Sequence, residues 1–250
     1  MDSIIQQYER QHSWRSYSDA YDLLGNLRGT RGIDVGCGSG SVMLDLHNRG
    51  CEVIGIDADE GVVEYTREKL PQECVIEVRD FDKPQYWPMK PYDFIWSSFA
   101  IAYSKNPVET LKGWRKTLKK NGKLALIEVN DLLGHRPMSH ADQNAISDFY
   151  KEADKIGQYN FRAGSQIEKW VEEAGFKIEK SLQLRDSELS FRGPAEPSVI
   201  LSWQNRFLRM PRLTSMTPDG FDRRFIQLLS DEAHFSLCSV NLVVAVSDDE

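Results

Sequence analysis

Gly32–Gly40 reads GIDVGCGSG, and seventeen residues after its last glycine a second apolar run, VIGID, ends on Asp57. A strand ending at Val35, a GCGSG turn and a helix opening at Ser41 together make a tight strand-to-helix junction. Glycines at 36, 38 and 40 let a ligand approach the backbone, because no side chain stands in the way. The helix start offers free N–H groups to an electronegative part of that ligand. Asp57, closing the next strand beside the same cleft, can accept hydrogen bonds from a pair of ribose hydroxyls. The combination predicts a nucleoside site.

Outward from this turn, residues 31–176 keep one rhythm. Strand-like runs GIDVG, CEVIGID, CVIEVRD, YDFIWSSF and KLALIEV alternate with helical patterns SVMLDLHNR, EGVVEYTREKL, PVETLKGWRKTLKK and QIEKWVEEA. That alternation predicts an α/β fold with a doubly wound parallel sheet. Asn106 with Glu109, and Ser165 with Glu168, read as capping boxes, and Gly50, Gly122 and Gly175 as helix stops. Three pieces fall outside the alternation: 1–28, which reads as helical, 130–162, and 186–235, where two amphipathic helices are expected between terminal strands near 176–184 and 235–246. They are expected to cap the carboxyl ends of the strands within one domain, 1–250.

Composition narrows the function. Charged residues at 28% and apolar residues at 40% are the balance of a globular domain. No apolar run approaches the roughly 18 residues of a membrane span, and the N-terminus has no secretory leader, so a cytoplasmic protein with no membrane partner is expected. A net charge of −7 disfavours a nucleic-acid substrate. Cys37, Cys51, Cys74 and Cys238 form no CxxC pair and read as reduced thiols.

The dinucleotide fingerprint G-x-G-x-x-G would need glycine where Ser41 stands. Instead, IDVGCGSG with VIGIDAD resembles the first two motifs of the class I S-adenosylmethionine-dependent methyltransferases, from about Arg31 to Phe176. The resemblance implies a seven-stranded sheet with the last strand antiparallel between the fifth and sixth, which LCSVNLVVAV suits, and S-adenosylmethionine as cofactor. It implies that Asp34, Gly36, Cys37, Gly38 and Gly40 form the cofactor turn, with Asp57 and Ala58 at the ribose. Asp80 and Phe81 in VRDFDK would lie at the adenine, and Ser97 beside the methionine portion.

The acceptor site is expected under the caps. His140 and His135 follow the fifth strand and are candidates for a general base near neutral pH. Tyr103, just past the fourth strand, is a candidate pocket wall. The histidines lack helical metal-ligand spacing, and no metal is expected. No [DN]PP[YFW] signature and no Pro-Cys dipeptide is present, so a small-molecule acceptor, methylated on N or O, is favoured over a nucleobase. Two alternatives stay open: a protein that keeps the cofactor pocket without turnover, and an NAD-type oxidoreductase. A monomer or homodimer is expected.

Overall fold

The computed structural model describes residues 4–248. Seven strands form the main sheet: β1 (Arg31–Val35), β2 (Glu52–Asp57), β3 (Val75–Val78), β4 (Tyr92–Ser98), β5 (Leu118–Asn130), β7 (Lys177–Leu184) and β9 (Ser239–Val246). A two-stranded ribbon of β6 (His135–Arg136) and β8 (Phe235–Ser236) lies apart from it. The sheet order is β3-β2-β1-β4-β5-β9-β7, with β1 to β5 parallel and β9 antiparallel to both neighbours. This is the seven-stranded, doubly wound arrangement expected, last strand inserted between the fifth and sixth. Val35 pairs with Ile56 on one side and Ser97 on the other, so β1, β2 and β4 finish level. The chain order reverses between β1 and β4, and the glycine turn leaves the sheet at that switch point.

Helices cover both faces: α1 (Ile4–Ser13), α2 (Ser18–Leu24), α3 (Ser41–Asn48), α4 (Glu60–Lys69), α5 (Pro107–Arg115), α6 (His140–Lys155), α7 (Ile167–Glu173), α8 (Pro197–Leu208), α9 (Pro211–Met216) and α10 (Phe221–Leu229). Because side chains alternate along each strand, Ile33, Val35, Ile54, Ile56, Ile95, Leu124 and Leu126 fill one core layer. Phe94, Trp96, Ala125 and Ile127 face the other, which runs on through Tyr17, Tyr21, Phe149, Trp203 and Phe225 of the segments outside the alternation. Asp59 caps α4 by accepting from the Val62 N–H at 3.1 Å, and Asn106 caps α5. Among the described residues no helix is long and apolar enough to cross a membrane.

Four local expectations are corrected. Ser165 caps nothing: it bonds back to the Arg162 carbonyl, α7 starts after Gln166, and Glu168 takes the Ser181 hydroxyl instead. Gly122 lies inside β5, because Thr117 donates to the Trp114 carbonyl at 2.7 Å and ends α5 a turn earlier. The terminal strand is broken into β8 and β9, with the Leu237 and Cys238 N–H groups turned toward the Gly134 carbonyl. Residues 186–235 hold three helices, α8 to α10, since Pro211 opens a further short one.

Candidate functional site

The GCGSG turn is anchored from below. Gly36 and Cys37 both donate their N–H to the Ile56 carbonyl, at 2.9 and 3.1 Å, which holds the turn against the end of β2. Asp57 then grips it from the side: Oδ2 accepts the Gly38 N–H at 3.0 Å and Oδ1 the Asp59 N–H at 3.1 Å. Gly38 adopts φ +50°, a left-handed conformation that side chains disfavour, and a Cβ there would stand 3.3 Å from the Tyr8 ring. The N-cap of α3 is Gly40, and no side chain caps it. Its first-turn N–H groups therefore point from the turn without a side-chain acceptor.

Behind the turn, Asp34 is buried and neither carboxylate oxygen has a hydrogen-bond partner. Burial, with the negative charge of Asp57 nearby, pushes its carboxyl up to about 8. Protonated at neutral pH, it presents both a donor and an acceptor to whatever reaches it. Cys37 is buried beside it, and its thiol is raised well above the usual range by that burial, so it is no nucleophile.

Other residues of the expected cofactor set lie differently. Ala58 is exposed at the mouth. Asp80 sits in a surface turn, accepting the Asp82 N–H at 2.9 Å and pairing with Lys83 at 3.0 Å. It borders a shallow depression with Val78, Arg79 and Tyr86. Phe81 is half-buried with its ring edge-on to Trp114. Ser97 is fully buried and donates to the Val35 carbonyl at 3.2 Å, so its hydroxyl joins β4 to β1.

The acceptor candidates are not brought together. His140 is exposed in the first turn of α6 with no hydrogen bond among the described residues. His135 is completely buried among Phe191, Trp203 and Phe225 and stacks on His234. Its Nδ1 lies 2.9 Å from His234 Nε2, while His234 Nδ1 lies 3.0 Å from the Gly193 carbonyl oxygen. A carbonyl only accepts, so His234 Nδ1 carries a proton and His135 Nδ1 donates to His234 Nε2. His135 Nε2 is left as a buried lone pair without a partner. Burial and the neighbouring His234 hold His135 well below its ordinary pKa, so it is neutral. Tyr103 is 55% exposed past β4, its ring 4.8 Å from that of Tyr159.

Three further residues, of which Glu128 and Arg206 were not expected from sequence, stand at the candidate site. Tyr8 of α1 lies over Gly38, its hydroxyl pushed up to about 12 by burial and by Tyr103 and Asp57. Glu128, at the carboxyl end of β5, is fully buried, accepts the Ala102 N–H at 3.1 Å and faces the Tyr159 hydroxyl at 3.3 Å. Burial raises its carboxyl to about 8. Arg206 of α8 pairs with the buried Glu188 at 2.5 Å above them. The signal for Glu128 was one acid at the end of an apolar run, IEV, while Arg206 reaches the site only through the fold.

Residues 33–126 match the methyltransferase domain family. An S-adenosyl-L-methionine-dependent Diels-Alderase of Talaromyces variabilis is 31% identical over 121 residues, 46% of this chain and 40% of that protein, so the chain spans less than half of the relative's length. A provisionally named methyltransferase of Bacillus halodurans C-125 superposes with TM-score 0.63 at 18% identity, covering 94% of this chain and 99% of that one. The cyclase SpnF superposes at 0.60 and 16% identity, with 93% and 81% covered, and both likenesses show the fold alone. The sheet order, the IDVGCGSG turn and the Asp57 clasp coincide with that domain match, so residues 33–126 carry a methyltransferase domain of the class I S-adenosylmethionine-dependent type.

Proposed function

We propose that this protein transfers a methyl group from S-adenosylmethionine to a nitrogen or oxygen of a small metabolite in the cytoplasm, as one domain whose segments 1–28, 130–162 and 186–235 cap the site. The observation that carries this is the Asp57-clasped glycine turn above an unpartnered, buried Asp34. Those residues fit the cofactor: the turn has no side chain at Gly36, Gly38 and Gly40, α3 has no side-chain cap, and Asp34 supplies hydrogen-bonding capacity that no group among the described residues uses. When bound, S-adenosylmethionine supplies an electrophilic methyl on a sulfonium.

The chain's own groups bind, orient and enclose. Asp57 and Ala58 stand at the ribose, Gly36 to Gly40 with Asp34 along the methionine portion, Asp80 and Phe81 toward the adenine. Ser97 acts by fixing the level of β4 against β1. Alignment at short range is the main source of rate for such a displacement. Tyr8 and Tyr103 close the site from two sides, and Glu128 lies behind Tyr159, accepting from its hydroxyl. Proton removal is assigned to solvent, since burial keeps Glu128 and Tyr159 protonated at neutral pH, His140 lies in the exposed first turn of α6 and His135 lies in an aromatic box. An amine acceptor needs no more than a route for that proton.

A second reading is supported by the name of the Talaromyces variabilis relative: the cofactor is held as part of the site and no methyl is moved. Incubation of the purified protein with methyl-labelled S-adenosylmethionine and a metabolite extract separates the two. Label in a small-molecule product is the expected outcome. Tight cofactor binding with all label retained on the cofactor would establish the second reading.

A further inference from the structure

Arg206 and Arg209 sit one helical turn apart at the end of α8, on one face. Arg206 is 15% exposed, spends one side of its guanidinium on Glu188 at 2.5 Å, and lies over the Trp203 ring at 4.7 Å. Its Nε is buried with no partner. Arg209 stands exposed at the rim and hydrogen-bonds Gln7 of α1, a neutral amide, with no carboxylate partner among the described residues. Two guanidinium groups this close disfavour each other, and burial together with Arg206 lowers the pKa of Arg209.

The phenols they face are uncharged: Tyr8 and Tyr103 lie in the field of Arg209, and Tyr103 and Tyr159 in that of Arg206, all three held protonated by burial. Glu128 is kept neutral at pH 7. Asp57 holds the glycine turn, and Asp59, also near Tyr8, caps α4. Glu188 offsets Arg206, which leaves Arg209 the guanidinium of the pair without a carboxylate partner among the described residues. A ligand carboxylate that reaches both would satisfy the unpaired charge of Arg209 and the unpartnered N–H of Arg206.

We propose that Arg206 and Arg209 form the anion-recognition pair of the acceptor pocket, and that the acceptor is a small molecule carrying a carboxylate. The planar forks suit that group, with the Arg206 Nε and the outer nitrogens of Arg209 as donors. The proposal rests on the cofactor-dependent reading above and adds the class of acceptor.

The test uses the whole protein loaded with S-adenosylhomocysteine, titrated calorimetrically with benzoate and with benzamide, which match in shape and differ in charge. Benzoate is expected to bind at least about tenfold more tightly, and Arg209→Gln to remove most of that preference while Arg209→Lys keeps part of it. Equal affinity for the two probes, or binding of neither, overturns the proposal. The cofactor's own carboxylate is the competing source. If Arg209→Gln weakens S-adenosylhomocysteine while leaving 5′-methylthioadenosine, which lacks the amino-acid portion, unchanged, the pair belongs to the cofactor and the acceptor assignment falls. Failure of the wild-type protein to bind S-adenosylhomocysteine at all is a different result. It would sink the cofactor reading, and the anion pair with it.

Discussion

Asp57 carries two tasks through one carboxylate. It fixes the turn through the Gly38 and Asp59 N–H groups, and on the proposed reading it also holds the ribose. Asp57→Ala is expected to weaken S-adenosylhomocysteine binding by about 1–3 kcal/mol, the usual cost of a lost hydrogen bond to a charged group. Calorimetry on the folded variant checks this, and unchanged affinity would remove the assignment. Gly38→Val should bind more weakly still, because φ +50° strains a β-branched residue and its side chain would press on Tyr8. Spacing alone placed Asp57 beside the glycine turn, since a carboxylate at the end of the second strand reaches the end of the first. Spacing could not separate Asp80, which closes a surface turn, from a ligand contact, nor show that Ser97 turns its hydroxyl onto a neighbouring strand. Glu128 escaped because burial, the property that makes it unusual, is decided by Ala102 and Tyr159 arriving from elsewhere in the chain.

At the scale of elements, α1 is held unlike any other helix here. Its buried residues are Gln7 and Gln11, and both Ile4 and Tyr8 keep more than a third of their surface exposed. Polar ties fasten it instead: Glu9 to Lys69 at 2.6 Å, His12 to Asp45 at 3.1 Å, and Gln7 to Arg209. A helix with so little apolar burial opens at low cost. Its amides are therefore expected to exchange quickly in the free protein and to gain protection when S-adenosylhomocysteine binds beneath Tyr8. Hydrogen exchange read by mass spectrometry decides the matter, and equal protection in both states would make α1 a fixed wall. The sequence announced a helical segment here, and the αβ alternation through periodicity. It misplaced the ends of α5 and α7 because local hydrogen bonds of Thr117 and Ser165 outweigh the capping signals that their neighbours display.

Across the molecule, the buried titratable groups pull stability in opposite directions with pH. Asp34 and Glu128 both have folded pKa values near 8, raised by burial from the ordinary carboxylate range. The folded state holds their protons where the unfolded chain has lost them, so their contribution is complete below about pH 4 and is lost as pH rises toward 8, by up to about 1.4 kcal/mol per pH unit for each group. His135 and His234 are shifted the other way, lowered by burial, and their contribution is present above about pH 6.5 and lost as pH falls below it. That second loss is focused, because His135 lies in β6, His234 directly precedes β8, and together they join segment 130–162 to segment 186–235. Below pH 6, exchange protection in β6, β8 and α10 is thus expected to fall before that of β1, β4 and β5. On the alkaline side, Glu128→Gln should melt at more nearly the same temperature at pH 6.5 and pH 8.5 than the wild-type protein does, because the amide keeps the Ala102 contact and never ionises. A wild-type protein as stable at pH 8.5 as at pH 6.5, matched by the variant, would show that Glu128 keeps an ordinary carboxylate pKa in the fold.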